Sequence, residues 1–479
     1  MDGENKFICH SCVSEPVLFK LIKSNGRRHK CNYCERTIKC YSITQLSEHI
    51  DNVIETFFER TSDYPDEYES RLMDDRESDY FFERHGENIL ELIADLAEIP
   101  QKAAEDIQSL LADKYYSRSS EEIHEETEYA IESHYELRSL SFGDWQHDWT
   151  LFENSLKFES RFFNRAGSDV LLNIFEGIGR LSTHDRRPLV VEAGPGQSIS
   201  SLFRARVFHK VNDVNNAISY PEKEIGPPPP RFAASGRMNA AGISTFYGAT
   251  NPHVSISEVR PPVGSYVVVA CFDITRKIRL LDLTALTNVA SLGSYFDADY
   301  KSQIEKANFL RHLSTKMTLP VMPDDTAFDY LPTQAIADFL SNETQLGIDG
   351  IIFPSAQTVG NDVNVVLFNK ASRVKEIKYP EGTIIESTTE QETDLGIEPN
   401  FEVIVWTQSS QAKKTNTEKN KDQISELDNR LITLEVNSKS VKVHRITSVS
   451  FKTDENYVAR YEIEKKELPG ATKTNALDW

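Results

Sequence analysis

The chain has 479 residues, 39% of them hydrophobic and 10% aromatic, which is enough for about three domains with real cores and excludes a disordered chain. No run approaches the roughly 20 uncharged apolar residues of a membrane span. The first ten residues, MDGENKFICH, lack the basic-then-apolar plan of a secretory signal, so a cytoplasmic address is expected. The net charge of −21 is uneven: residues 1–40 carry +4, 45–145 carry −20, and 146–479 only −5. The acidic stretch opposes nucleic acid and anionic membrane unless it faces away from them, and a solvated helical face accounts for it.

In chain order, the first feature is a pair of short cysteine motifs, CHSC (Cys9, Cys12) and CNYC (Cys31, Cys34). Two thiolates on each of two turns suit tetrahedral Zn²⁺. A redox pair, or a site that has lost its metal, are the competing explanations; Cys40 and His10 are nearby spares. The intervening stretch is expected to be a β-hairpin with Asn25-Gly26 at its tip. Residues 1–44 therefore form a small four-cysteine, zinc-ribbon-like module. Its positive charge permits a nucleic-acid contact but does not require one, since such knuckles also serve to staple small domains.

Residues 45–182 form an acidic helical domain. Apolar positions recur at three and four in ITQLSEHIDNVIETF, with Thr44 as a cap, and again in NILELIADLAEI and AAEDIQSLLADKYY, with a break at Pro100. A further helix is expected in SRFFNRAGSDVLLNIFEGIGRL, broken near Gly167. The stretch EAGPGQS then reads as a linker turn, because its G-x-G lacks the strand-to-helix setting of a dinucleotide crossover.

Beyond it, strand-like SLFRARVFHKV, GSYVVVACFDI, KIRLLDL, GIDGIIFPS and NVVLFN alternate with helical HVSISEVR and DYLPTQAIADFLSNE, an α+β domain over 185–380. Cys271 falls in one of these strands, where a buried thiol is expected. Residues 381–479 continue as a β-rich extension, with strands in PNFEVIVWT, SKSVKVHRITSVSF and NYVARYEIEKK and a lysine-rich loop leading into a helix between the first two.

Within 185–380 several polar residues stand where rigid neighbours would hold them. Four consecutive prolines, Pro227–Pro230, stiffen the approach to the turn Gly236-Arg237-Met238-Asn239, and Tyr247 closes the strand-like STFYGA. Arg204, Glu258 and Ser355 complete the set. The order FRAR, GRMN, GISTFYGAT, ISEVRP, VVVACFDI, GIDGIIFPSAQ, NVVLF resembles the RES domain over about residues 200–370. That family is named for an Arg, a Glu and a Ser, which match Arg204, Glu258 and Ser355; GRMN stands where Gly-Arg-Trp-Asn is usual, and FPSAQ where many members carry a second serine. The cysteine pairs and acidic helices resemble the HEPN/RES N-terminal region of longer members.

The resemblance implies a fold similar to ADP-ribosyltransferases and cleavage of the nicotinamide–ribose bond of NAD⁺, with water or inorganic phosphate as acceptor, in a toxin or defence setting. It implies Glu258, Arg204 and Tyr247 as catalytic residues, and Arg204, Arg237, Asn239, Tyr247 and Ser355 as NAD⁺-binding. It further implies a restraint, either a separate antitoxin or the chain's own N-terminal region. The alternatives are a zinc-containing nucleic-acid-binding regulator and a transferase moving ADP-ribose onto a macromolecule. Oligomerisation is left open.

Overall fold

The computed structural model describes residues 6–75, 78–116, 126–319, 325–343, 345–355, 357, 362–393, 396–407, 428–450, 453 and 455–460. At the N-terminus, strands β1 (Phe7–Cys9), β2 (Arg27–Lys30) and β3 (Thr37–Ser42) form an antiparallel sheet in the order β1-β3-β2. The hairpin expected between the cysteine pairs is instead a helix, Pro16–Asn25. Pro16 sits where its missing N–H costs nothing, and Glu15 accepts the Leu18 amide at 2.6 Å. Leu18 and Ile22, one turn apart, bury against the sheet, and the helix ends at Gly26, where a Cβ would lie 2.4 Å from the Ile22 carbonyl oxygen. Helical spacing of the apolar residues outweighs the Asn-Gly turn signal.

The next helix, Ile43–Phe57, is capped by Ser42 rather than Thr44: Ser42 Oγ accepts from Gln45 N, and Gln45 Oε1 accepts from Ser42 N. Helices Ile89–Ala97 and Gln101–Tyr115 part at Pro100, as the sequence predicts. Between the helices lies a small sheet absent from the sequence expectation, β4 (Phe58–Arg60), β5 (Glu87–Asn88) and β6 (His134–Leu137), ordered β4-β6-β5. Strands of two to four residues carry too little alternation to be seen. Part of the acidic charge is internal. Asp51, 4% exposed, accepts from Lys114 and from the hydroxyls of Tyr115 and Tyr129.

The later part of the acidic segment belongs to a different core. Helices Gly143–Asn154 and Arg165–Phe175 send Trp149, Phe152, Leu171, Ile174 and Phe175 into one cluster with Leu281, Phe309, Ile336 and Val366. The break falls before Gly167, which lies in the first turn of its helix with its amide held by Asn164 Oδ1.

That core packs on an eight-stranded sheet of β8 (Val190–Ala193), β9 (Ser201–Phe208), β10 (Phe246–Ala249), β11 (Tyr266–Ile274), β12 (Ile278–Asp282), β14 (Gly350–Pro354), β15 (Val363–Leu367) and β18 (Leu434–Arg445). The order is β18-β11-β9-β10-β15-β14-β12-β8, and only β12 and β14 run parallel. The residues VVVAC of β11 are buried on both faces, which explains their unbroken apolar run. EAGPGQS spans the gap from β8 to β9, so it joins two strands. A two-stranded ribbon pairs β7 (Ser182–Thr183) with β13 (Val289–Ala290). Helices Tyr300–Thr318 and Leu331–Asn342 cover one face. The first of these was not foreseen, because charged residues interrupt its apolar stripe.

The C-terminal region is β-rich, but not apart from the sheet. β18 pairs with β11 from Tyr266 opposite Arg445 to Ile274 opposite Leu434 and forms the sheet's edge, earlier than the strand expected over 438–451. β16 (Ile384–Thr393) and β17 (Gly396–Trp406) make a separate hairpin. Of the strand expected in NYVARYEIEKK, residues 456–460 carry no regular structure and the rest lies outside the described residues; most of the helix expected after the lysine-rich loop also lies outside them, and its last residues, 428–431, are not helical. No helix among the described residues is long and apolar enough to cross a membrane.

The shared core makes a prediction. A chain shortened to begin at residue 185 loses Trp149, Phe152, Leu171, Ile174 and Phe175 and exposes the apolar face they cover. It is expected to aggregate, read as loss of the soluble fraction on expression and of the sigmoidal thermal transition.

Candidate active site

β9 and β10 are joined by one residue pair only, Ala249 with Phe203. Past it the strands part, and a pocket of about 230 Å³ lies between them. β9 supplies Arg204 and Ala205, β10 supplies Tyr247 and Gly248, the helix Pro252–Glu258 supplies Ser255 and Glu258, Val259 follows it, and β14 and β15 add Phe353 and Asn364. Gly248 lets β9 and the Phe246 ring approach closely beside the pocket. A Cβ there would lie 2.7 Å from the Phe246 ring and 3.2 Å from both Leu202 Cβ and the Phe203 carbonyl oxygen.

Arg204 reaches from β9 across the gap. Its Nη1 donates to the Tyr247 carbonyl at 2.9 Å, and its guanidinium lies 5.3 Å from the Phe246 ring centroid. Burial pulls its pKa down to about 10, with no carboxylate to offset the effect among the described residues. The group is still a cation at neutral pH. Only one of its five N–H donors has a protein acceptor among the described residues. A half-buried guanidinium with open donors can take an anion.

Glu258 ends its helix, which begins with Pro252 in the first turn and Asn251 as cap, accepting from His253 N at 2.8 Å. Two donors hold the carboxylate, Ser355 Oγ at 2.8 Å and Asn364 Nδ2 at 2.7 Å. Both bond to Oε1, which leaves Oε2 without a donor among the described residues. Ser355 Oγ in turn accepts the Gln357 amide at 3.1 Å, so the serine is fixed from both sides. Ser355 therefore touches Glu258 and is not itself among the residues that line the pocket.

Tyr247 shows its ring to the pocket while its hydroxyl is engaged elsewhere. The hydroxyl donates to Asn239 Oδ1 at 2.7 Å and accepts from Met238 N at 3.1 Å. Burial raises its pKa to about 12, so it stays protonated across the physiological range. Asn239 is 6% exposed and donates to the carbonyls of Ala234, Ala240 and Ile243. It ties the 234–243 loop to Tyr247. Gly236 makes room for this bond, since a Cβ there would lie 2.6 Å from Asn239 Oδ1 and 2.8 Å from the tyrosine hydroxyl. Arg237 is turned another way, donating to the Met317 carbonyl at 2.7 Å and lying over the Tyr330 ring.

The structure thus brings Arg204, Tyr247 and Glu258 to one pocket, with Ser355 behind the glutamate. It does not bring Arg237 or Asn239 there: Asn239 is spent on the loop that precedes β10 and on Tyr247, and Arg237 on the Met317 carbonyl. Asn364 was missed in the sequence, although a polar residue in the apolar run VNVVL is a signal.

The four cysteines form a second cluster. Cys9, Cys12, Cys31 and Cys34 place their sulfurs all within 4.8 Å of one another, with separations of 3.7 Å for Cys9–Cys12, 3.5 Å for Cys9–Cys34 and 3.9 Å for Cys12–Cys31. A tetrahedron with metal–sulfur bonds of about 2.3 Å has edges of about 3.8 Å, so the set fits a metal. Cys40 stands outside it, its thiol donating to the carbonyls of His29 and Ile38. Cys271 is buried in β11 as expected.

Residues 201–389 match the RES domain, and the chain carries one there; RES domains are known as NAD⁺-degrading toxin domains. No curated protein and no solved structure matches the chain.

The Asn239–Tyr247 arrangement is testable. Asn239→Ala removes the acceptor of the Tyr247 hydroxyl and the side-chain donor to three loop carbonyls, and is expected to lower unfolding free energy by about 1–3 kcal/mol, read from urea denaturation.

Proposed function

We propose that the chain cleaves the bond between nicotinamide and ribose in NAD⁺, passing the ribosyl group to water or inorganic phosphate. The observation that carries this is a guanidinium with open donors and a positioned carboxylate on two walls of one pocket. The match to the RES domain over 201–389 supports the same substrate.

The chemistry asks for those two groups. Nicotinamide in NAD⁺ is already cationic, so the C1′–N bond can break with its electron pair going to the ring nitrogen and no proton supplied to the leaving group. Positive charge then builds on the ribose, as in glycoside hydrolysis. Glu258 stabilises it: Ser355 and Asn364 hold Oε1, and Oε2 is left to face the sugar or to orient the acceptor oxygen, whose proton passes to solvent when water is used. A carboxylate fixed before the reaction costs no reorganisation during it. Arg204 takes a phosphate oxygen on donors that the protein leaves open. The ring of Tyr247 packs against the nicotinamide or ribose, and its engaged hydroxyl locks the ring in place. Ser355 and Asn239 are positioning residues in this scheme.

The N-terminal cysteines, in our proposal, hold one structural Zn²⁺. Among structural metals Zn²⁺ best suits four thiolates. The ion would fasten the small β1–β3 sheet, whose own core is slight.

Two measurements test these assignments. Glu258→Gln keeps the shape and the hydrogen-bonding capacity but removes the charge, and is expected to lower nicotinamide release from NAD⁺ by about 10²-fold or more in kcat, with unfolding unchanged. A variant that still turns over at the wild-type rate removes Glu258 from the mechanism. For the metal, elemental analysis is expected to find one zinc per chain, lost in Cys31→Ser with a fall in Tm; a metal-free protein of unaltered Tm contradicts the zinc site.

A further inference from the structure

The pocket is small for a dinucleotide. At about 230 Å³ it lies below the roughly 300–1,000 Å³ of pockets that enclose whole ligands, and NAD⁺ is two nucleotides. Its aromatic lining is Tyr247 and Phe353, and its cationic lining among the described residues is Arg204 alone. Arg237, the obvious holder of a second phosphate, is turned to the Met317 carbonyl and the Tyr330 ring. Arg206, next on the same face of β9, is engaged with the carbonyl and carboxylate of Glu224. Residues 356–361, which follow Ser355, are Ala-Gln-Thr-Val-Gly-Asn and carry no lysine or arginine. Among the described residues the site therefore has one anion seat, one carboxylate and ring surface for one base.

We infer that recognition ends at the first phosphate: the pocket takes a nicotinamide 5′-mononucleotide unit, the adenylate half of NAD⁺ lies outside it, and the free mononucleotide is itself a substrate. This rests on the function proposed above and narrows its substrate class. In the reaction the C1′–N bond breaks and its electron pair goes to the pyridinium nitrogen, releasing neutral nicotinamide. The acceptor oxygen bonds to C1′, giving ribose 5-phosphate with water, whose proton goes to solvent, or ribose 1,5-bisphosphate with inorganic phosphate. The phosphate on Arg204 is what separates the mononucleotide from nicotinamide riboside, which has the same reacting bond and no anion.

The test compares NAD⁺, nicotinamide mononucleotide and nicotinamide riboside on the purified full chain, with nicotinamide release measured by chromatography with and without phosphate in the buffer. The mononucleotide is expected to show kcat/KM within tenfold of NAD⁺, and the riboside to fall at least tenfold below the mononucleotide. In Arg204→Gln the gap between mononucleotide and riboside is expected to shrink to under threefold, with circular dichroism and the thermal transition reporting that the variant is folded. If that variant does not fold, the wild-type comparison decides alone. NAD⁺ cleaved with the mononucleotide more than tenfold slower overturns this inference and leaves NAD⁺ cleavage standing. A riboside less than tenfold below the mononucleotide, or a gap unmoved in folded Arg204→Gln, overturns the phosphate seat. Release of nicotinamide from none of the three overturns the proposed function itself.

Discussion

The pocket depends on a half-buried guanidinium without a counter-ion among the described residues. Arg204 spends one donor on the Tyr247 carbonyl and lies against the Phe246 ring, and no carboxylate of the described residues neutralises it. Burying such a charge costs free energy unless an anion completes it. The sheet accommodates it only because β9 and β10 separate beyond a single bridging pair, leaving a gap that the side chain spans. The neighbouring features follow from that gap: the Pro252–Glu258 helix bears on one wall, and Asn364 projects from β15 to hold the glutamate.

Glu258 is the complementary case. It is exposed at the pocket and would be mobile if free, but two donors from β15 and the end of β14 fix one of its oxygens. An exposed carboxylate gains function by being aimed, and here aiming takes three segments distant in the chain. Tyr247 is held the same way, by Asn239 and the Met238 amide. The turn at 236–239 thus contributes rigidity, and its arginine serves the Met317 carbonyl at the end of the long Tyr300–Thr318 helix.

Much of this was legible in the sequence, and the illegible part has physical causes. Strands β9, β10, β11, β12, β14 and β15 stand where apolar runs place them, and the motif order points to Arg204, Tyr247, Glu258 and Ser355. Neighbourhood in the chain could not show which way the GRMN turn faces: Arg237 and Asn239 lie close to Tyr247 in the chain yet point away from the pocket. The hairpin expected between the cysteine pairs was lost to a helix because Leu18 and Ile22 share a face that an Asn-Gly dipeptide does not override. β18 was read as part of a separate extension, since pairing between Tyr266 and Arg445 spans a separation that no local pattern reports. Likewise Trp149 and Phe175 fall in an acidic helical stretch but pack with the sheet.

The central claim is that Arg204 is the anion seat of a nicotinamide nucleotide site. A crystal structure of Glu258→Gln soaked with NAD⁺ tests it most directly. The account predicts a phosphate oxygen within hydrogen-bond distance of the Arg204 guanidinium and the nicotinamide ribose beside residue 258. Nucleotide bound elsewhere, with Arg204 still bonded only to the Tyr247 carbonyl, would contradict it.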